Sequence, residues 1–297
     1  MKLAFSTVGC PDFQWSEIYS MAKDLGFDGI EVRGLGKEIS TFNMQPFSEG
    51  EIDRTVRTLA DLRLSIPCLS SGIALKFADK RAANIAELTD YIHMAARLGA
   101  PYVRVMGDWD AAPGGEVDDE AVKSQLRELI PEAEKCGVTL LVETNGVYAN
   151  TERLRDLLTD LASDNVAALW DMHHPYRFMH ESPEQTLQNL GTYIKHVHMR
   201  DSDDDGSFNL VGEGTLPIDE VVRALSSIDY DGYVSLEWDP AWMPDLTDME
   251  VIFPHFVNYM ERFEDTRGKR RTLYLNHDGT GEYVWKKDEL IDLTFPQ

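Results

Sequence analysis

The feature that most constrains the fold is an alternation of short strand-like runs with longer helical patterns along most of the chain. Eight strand-like runs occur, at residues 3–7, 29–33, 64–69, 102–107, 138–144, 166–172, 196–199 and 233–238. Helical patterns follow them at residues 15–25, 51–62, 81–98, 122–136, 152–162, 183–190, 218–225 and 251–263. Gly26, Gly99 and Gly137 directly follow three of these patterns, where glycine commonly ends a helix. The alternation predicts parallel strands joined through helices.

Eight such units in about 260 residues match a closed barrel, because parallel strands joined by helices form right-handed crossovers. We therefore predict an α/β protein in which residues 1–265 form one catalytic (β/α)8 TIM barrel. An open, doubly wound sheet is the structural alternative. No G-x-G-x-x-G motif or phosphate-binding loop follows a strand-like run, which disfavours a nucleotide-binding version of that alternative.

Residues 266–297 do not continue the alternation. The run RRTLYLNHDGTGEYVWKK, at residues 270–287, alternates apolar and polar side chains on either side of a glycine-rich stretch at 276–281. This pattern predicts a C-terminal β-hairpin extension. We expect the extension to pack on the barrel or to contact another subunit, so a homo-oligomer is compatible with the sequence.

The charge balance disfavours several classes of partner. The chain has 28 Lys and Arg residues against 52 Asp and Glu residues, a net charge of −24, whereas nucleic acid and anionic membranes require a basic face. Three separated cysteines, Cys10, Cys68 and Cys136, disfavour a disulfide framework and a thiolate zinc site. No apolar run is long enough to span a membrane, and the N-terminal run is too short for a secretion signal. The expectation is a soluble, cytoplasmic protein that binds neither nucleic acid nor membrane.

Metal-ligand side chains stand at the ends of four consecutive predicted strands. They are Glu143 in LLVETNG, Asp171 in ALWDMHH, His198 in KHVHMRD and Glu237 in VSLEWDP. The C-terminal ends of barrel strands converge on one mouth, where barrel active sites lie. Each carboxylate follows an apolar run, and a buried carboxylate needs a metal ion or a charged partner. Carboxylates with one imidazole suit Mn²⁺, Mg²⁺, Co²⁺ or Zn²⁺, so we predict one bound divalent metal ion. For any one of these residues alone, a helix cap, a loop anchor or a core histidine is the alternative.

These residues stand in motifs that resemble the xylose-isomerase-like barrel superfamily. The motifs are E-T-N, W-D-x-x-H, H-x-H-x-x-D, G-E-G-T and L-E-W, and the resemblance covers residues 1–263. The superfamily includes sugar isomerases, ketose 3-epimerases, inosose and dehydroshikimate dehydratases, and apurinic endonucleases of the barrel type. The resemblance implies that the Glu, Asp, His, Glu set holds one metal ion, with Mn²⁺ as the first choice.

The resemblance also implies roles for individual residues. Glu143 and Glu237 would act as the acid/base pair as well as metal ligands, and His174 would contact the substrate. Arg200 stands where the family often has Lys, and Asn145 stands where several relatives have His. We predict that both contact the substrate.

Further candidates for the mouth follow from the strand-like runs themselves. Four of them are cationic: Arg33, Lys76, Arg104 and Arg177. In so acidic a chain they suggest an anionic substrate, because Arg suits phosphate and carboxylate groups. The alternative is that Arg33 and Arg104 pair with neighbouring carboxylates. We predict Arg33, Arg104 and Trp109 as substrate-binding residues, and we expect His196 to be structural, on the opposite face or beneath the mouth.

The predicted function is a divalent-metal-dependent isomerase or epimerase that acts on a keto sugar or sugar derivative, a small-molecule carbohydrate. Removal of a proton next to a carbonyl gives an enediolate, whose charge a metal ion stabilises. Two carboxylates on opposite sides allow the proton to return on the other face or at the adjacent carbon. The first alternative is a lyase on the same site, either a keto-cyclitol or keto-acid dehydratase or an enzyme that eliminates from 3-keto-glycosides. The second is a non-catalytic barrel that binds a sugar or a partner. A metal-dependent endonuclease is disfavoured by the acidic charge and the single ligand set.

Overall fold

We describe residues 1–35, 44–240 and 246–263 of a computed structural model, together with the backbone of residues 269–275 and 281–287. The strands are β1 (Lys2–Ser6), β2 (Gly29–Glu31), β3 (Cys68–Ala74), β4 (Tyr102–Met106), β5 (Thr139–Glu143), β6 (Val166–Asp171), β7 (Ile194–Met199), β8 (Asp201–Ser202), β9 (Phe208–Asn209), β10 (Tyr233–Leu236), β11 (Lys269–Leu275) and β12 (Gly281–Lys287). The α-helices are α1 (Trp15–Leu25), α2 (Ile52–Leu62), α3 (Arg81–Leu98), α4 (Asp119–Cys136), α5 (Thr151–Leu161), α6 (His173–Met179), α7 (Pro183–Leu190), α8 (Ile218–Ser227) and α9 (Met249–Glu261).

Eight of the strands form one parallel sheet that curls into a nearly closed barrel. Its order is β2-β1-β10-β7-β6-β5-β4-β3, and neighbouring strands are parallel throughout. Two isolated parallel bridges, Gly29 with Ser65 and Val32 with Leu69, join the β2 edge to the segment of β3. Helices lie between successive strands. The (β/α)8 barrel predicted from the alternation is confirmed.

The central strands are buried on both faces, as expected for parallel strands covered by helices. Every residue of β6 is buried, and Leu141, Ala167 and Leu169 of β5 and β6 form one tightly packed cluster. In both of these strands the apolar run ends in a carboxylate at the mouth: Glu143 on β5 and Asp171 on β6.

The third strand differs from its prediction. Residues 64–69 were expected to form it, but β3 begins at Cys68 and runs on through Ser70 and Ser71 to Ala74. Pro67 explains the late start, because proline has no N–H to donate to a sheet. Ser70 and Ser71, the polar residues that extend the strand, are fully buried all the same.

Two elements near the mouth are additions to the predicted alternation. The first is the short helix α6, which lies between β6 and α7. The second is the β8–β9 ribbon, in which Asp201 and Ser202 pair antiparallel with Asn209 and Phe208. Among the described residues, no helix combines the length and the apolar character needed to cross a bilayer.

The chain divides into two compact units, Met1–Tyr259 and Met260–Gln297. In the second unit β11 pairs antiparallel with β12, with Lys269 opposite Lys287 and Leu275 opposite Gly281. This confirms the predicted C-terminal hairpin, although its expected turn, residues 276–280, lies outside the described residues. The domain boundary at residue 265 and the role of the extension in packing or oligomer contact stay predictions.

Candidate metal centre

Four ligand-type side chains meet at the mouth of the barrel. Glu143 ends β5, Asp171 ends β6, His198 lies on β7 and Glu237 directly follows β10. One ligand atom from each residue lies within 4.8 Å of those from the other three. All four residues are at most 4% exposed. The strands β10, β7, β6 and β5 are consecutive neighbours, which is why residues distant in sequence converge here.

His198 lies at the centre of this cluster. Its Nδ1 is 3.2 Å from Glu143 Oε1 and 3.6 Å from Glu237 Oε2. Its Nε2 is 2.9 Å from Glu31 Oε1 on the other side of the ring. Ionised carboxylates only accept hydrogen bonds, and they face both nitrogens of this ring. Burial alone would lower the pKa of His198, but Glu31 and Glu237 outweigh it and raise that pKa well above its ordinary value. A divalent ion at Nδ1 would take the place of the proton there and leave Nε2–H to donate to Glu31.

Three arginines surround the cluster. Arg104 is 1% exposed and donates to Glu143 Oε2 over 2.9 Å and to the Ser71 carbonyl over 2.6 Å. Arg200 donates to Asp171 Oδ2 over 2.5 Å and lies 3.2 Å from Glu237 Oε2. Arg33 donates to Glu237 Oε1 over 3.4 Å. Arg33 and Arg104 therefore pair with carboxylates of the cluster, which was the alternative to substrate contact; a substrate-binding role for them stays a prediction.

The formal charges of the cluster leave a negative excess. The cluster and its immediate partners include five carboxylates and three guanidinium groups, so the excess is two negative charges when the imidazoles are neutral. The carboxylates belong to Glu31, Glu143, Asp171, Glu237 and Asp239. One divalent cation would cancel this excess. Three carboxylates and one imidazole nitrogen are also a ligand set that such ions accept. The residues thus fit a divalent metal ion.

The same charges shift the acidities of the carboxylates. Burial by itself would raise the pKa of Glu143, but Arg104 and His198 outweigh it and hold that pKa well below its ordinary value. Asp239 responds in the other direction, since burial and the neighbouring charge of Glu237 raise its pKa to about 6. Asp239 Oδ1 has no hydrogen-bond partner among the described residues. Asp239 did not enter the sequence prediction, although it stands only two residues after Glu237.

The remaining predicted substrate residues lie at different distances from the cluster. His174 is on α6, where its Nδ1 is 3.1 Å from the Thr144 carbonyl and its Nε2 is 2.7 Å from Arg200 Nη2. Asn145 is buried, and its Oδ1 has no partner among the described residues. Trp109 is 56% exposed in the loop after β4. His174 is thus brought to the cluster through Arg200, whereas Trp109 lies at the solvent surface.

Other sequence candidates have local roles in the structure. Lys76 pairs with Asp108 over 2.5 Å, and Arg177 pairs with Asp204 over 2.6 Å. Asp201, the last residue of the H-x-H-x-x-D motif, accepts hydrogen bonds from the Ser202 N–H within β8 and from the N–H groups of Gly212, Gly214 and Leu216 in the loop that follows the ribbon. It therefore shapes the G-E-G-T segment ahead of α8. His196 is fully buried with Nε2 2.8 Å from Glu31 Oε2, so it packs beneath the mouth and not on the opposite face.

Fold and cluster together define a TIM-barrel protein with a candidate metal centre at its mouth. The family model for the xylose isomerase-like TIM barrel matches residues 20–251, and the chain belongs to this family.

The chain is also similar in sequence to curated proteins and in fold to solved structures. The chain is 23% identical to fructoselysine 3-epimerase of Shigella flexneri over 252 residues, which is 80% of this chain and 90% of the relative. It is 32% identical to an uncharacterized protein of Methanocaldococcus jannaschii over 126 residues, which is 38% of this chain but only 41% of the relative. Among solved structures it resembles the probable 3-DHS dehydratase AsbF of Bacillus anthracis, with a TM-score of 0.75, 18% identity, and coverage of 88% of this chain and 99% of that one. It also resembles the IolI protein solved with a zinc atom, with a TM-score of 0.70, 21% identity, and coverage of 90% and 100%.

Proposed function

We propose that this protein is a divalent-metal-dependent isomerase or epimerase of a keto sugar or sugar derivative, with Mn²⁺ as the preferred ion. The observation that carries the proposal is the pair of buried glutamates, Glu143 and Glu237, that approach His198 Nδ1 from strands on opposite flanks of the cluster. Similarity to a fructoselysine 3-epimerase supports the carbohydrate class of substrate.

Glu143, Asp171, His198 and Glu237 would hold the metal ion. When bound, the ion would polarise the substrate carbonyl and stabilise the charge of the enediolate. One glutamate removes the proton next to the carbonyl, and the other returns a proton on the opposite face or at the adjacent carbon. Return on the opposite face epimerises the sugar, and return at the adjacent carbon isomerises it.

The residues around the glutamates prepare them for proton transfer. Arg104 keeps Glu143 ionised through the charge and hydrogen bond on Oε2, which leaves Oε1 to face the cluster. Arg200 links Glu237, Asp171 and the substrate-side histidine His174. Burial lowers the pKa of His174, and the neutral ring donates from Nδ1 to the Thr144 carbonyl and accepts from Arg200 at Nε2. A sugar oxygen would reach this ring by replacing the Arg200 contact.

Deuterium incorporation tests the proposal. The Mn²⁺-loaded protein is incubated in D₂O with ketoses, keto-cyclitols, 3-keto-glycosides and their phosphates or acids, and the products are measured by mass spectrometry. We expect deuterium in a sugar whose skeleton is otherwise unchanged. Loss of water or of an aglycone would assign the protein to the lyases instead, and no exchange with any substrate would contradict both enzymatic functions in favour of a sugar-binding barrel.

Two variants connect the exchange to the site. Glu143→Gln and Glu237→Gln, assayed at saturating metal, should each lower the exchange rate by roughly 10²–10⁴-fold, the usual contribution of general acid–base catalysis. Glu184→Gln, on the exposed surface of α7, is the matched control and should exchange at the wild-type rate. Equal rates in all three variants would refute the assignment of the acid/base pair.

A further inference from the structure

A second buried cluster lies beneath the candidate metal centre, and we propose that its carboxylate, Glu31, is a positioning residue that orients His198 for metal binding. The inference rests on the proposed metal-dependent function. It concerns a residue that does not itself belong to the four-ligand set.

Glu31 reaches across the barrel interior to His198. It ends β2, whereas His198 lies on β7, and β1 and β10 separate these two strands in the sheet. Glu31 is 0% exposed, and its two carboxylate oxygens lie 2.9 and 3.1 Å from His198 Nε2. Both oxygens therefore face the same ring nitrogen.

Two further donors hold the Glu31 carboxylate in this orientation. His196 Nε2 lies 2.8 Å from Oε2, and the Ser70 hydroxyl donates to Oε1. His196 Nδ1 has no hydrogen-bond partner among the described residues. A neutral His196 that donates from Nε2 satisfies Glu31 and avoids burying an unpaired N–H, which would be costly. His196 and Ser70 thus hold the Glu31 carboxylate from two sides, so its contact with His198 has a fixed geometry.

The contact decides which nitrogen of His198 can bind a metal ion. A neutral imidazole has one N–H and one lone pair. Both Glu31 oxygens accept at Nε2, and a cation held by Glu143 and Glu237 would take the lone pair at Nδ1, so the metal-bound ring would carry its N–H on Nε2. The lone pair is then on Nδ1, the atom 3.2 Å from Glu143 Oε1 and 3.6 Å from Glu237 Oε2. A carboxylate behind a ligating histidine also raises the basicity of the ligating nitrogen. Glu31 therefore sets the tautomer and the ring orientation of His198, and it raises the electron density on Nδ1.

Metal affinity provides the test, measured as Mn²⁺ binding to the metal-free full-length protein by titration calorimetry. Glu31→Gln should weaken binding roughly 10–100-fold, the usual effect of losing such a partner, with one site per chain in both proteins. Glu31→Asp keeps the charge but shortens the reach, so it should lie between wild type and Glu31→Gln, and it serves equally if the Gln variant does not fold. Ser70→Ala is the matched control; it removes one donor to the same carboxylate without touching His198, and affinity should change less than about threefold, because the carboxylate–His198 contact survives.

A spectroscopic readout separates positioning from general stabilisation. In the Zn²⁺-loaded wild type, the His198 Nε2–H proton should be visible by NMR as a slowly exchanging, strongly downfield signal, and Glu31→Gln should lose that signal or move it upfield.

The outcomes distinguish this inference from the metal centre itself. Wild-type affinity in Glu31→Gln and Glu31→Asp would overturn the role of Glu31 and leave the four-ligand centre standing. A second equivalent of metal that Glu31→Gln abolishes would also overturn it, because Glu31, His196 and His198 would then be ligands of their own ion. A wild-type protein that binds no divalent metal would refute the centre and the inference together.

Discussion

Arg104 offers the sharpest test of how the buried charges of the barrel mouth depend on one another. Its guanidinium lies 2.9 Å from Glu143 and 3.9 Å from Glu237, inside a protein interior where it is 1% exposed. Arg104→Met fills a similar volume but removes the charge and the donors. Breaking a buried ion pair from one side typically costs about 3–5 kcal/mol, because the remaining charge is left uncompensated. We expect that loss in the free energy of unfolding of the metal-free protein.

The loss should shrink when metal is bound, because a divalent cation then compensates the charge of Glu143. What remains is mainly the Ser71 carbonyl that loses its donor, a cost of about 1–3 kcal/mol. The double variant Arg104→Met/Glu143→Gln should be less destabilised in the metal-free state than the sum of the single variants, by roughly 0.5–3 kcal/mol, since the pair acts as a unit.

Urea unfolding followed by tryptophan fluorescence, once with chelator and once with excess Mn²⁺, measures these differences. Arg54→Met is the matched control, because Arg54 pairs with Glu51 at 3.7 Å through a side chain that is 78% exposed. Such a surface pair should contribute about 0–1 kcal/mol in either metal state. If Arg104→Met costs no more than Arg54→Met, or costs the same with and without metal, the electrostatic reasoning is wrong.

Three further predictions follow from the same structure. Metal at about 1,000 times its dissociation constant should stabilise the protein by about 4 kcal/mol. For a chain of this size that raises Tm by roughly 6–8 °C over the chelated protein in scanning calorimetry, and an unchanged Tm would count against the four-ligand centre. Gly146→Ala should lower the free energy of unfolding by roughly 2–4 kcal/mol in urea, since φ is +54° and the new Cβ would lie 2.4 Å from Asp108. Gly115→Ala is the control: φ is +74° but the space around it is open, so it should cost only about 1–2 kcal/mol. In a thiol titration of the folded protein only Cys136 should react, and slowly, because burial and Glu132 raise its pKa. Burial raises the pKa of the Cys10 and Cys68 thiols much more. Rapid reaction of all three thiols would contradict the packing.

The periodicity of the sequence was enough to predict the barrel and the convergence of the four ligands. Parallel strands that alternate with helices have few arrangements available, and closing the sheet brings all strand ends to one mouth. Glu143, Asp171, His198 and Glu237 each stand at or near a strand end, so their proximity follows from connectivity alone. The C-terminal hairpin could also be predicted, because β11 and β12 are close in sequence and pair with each other.

Local detail was less predictable where one residue overrides a pattern. β3 begins only after Pro67, which has no N–H to donate to the sheet. It continues through Ser70 and Ser71, which are fully buried although serine is a polar residue. Asp239 did not enter the sequence prediction, yet its carboxylate lies 3.8 Å from Arg200 in the cluster.

The pairing of charges inside the barrel was decided by the tertiary structure alone. Glu31 meets His196 and His198 across 165 and 167 residues of sequence, and Arg104 donates to Glu143 across 39 residues. The height of an inward-facing side chain along the barrel axis depends on the stagger between neighbouring strands. That stagger is a property of all eight strands of the sheet together. The sequence by itself therefore determined which ligand groups reach the mouth, and only the closed barrel decided which charges face each other there.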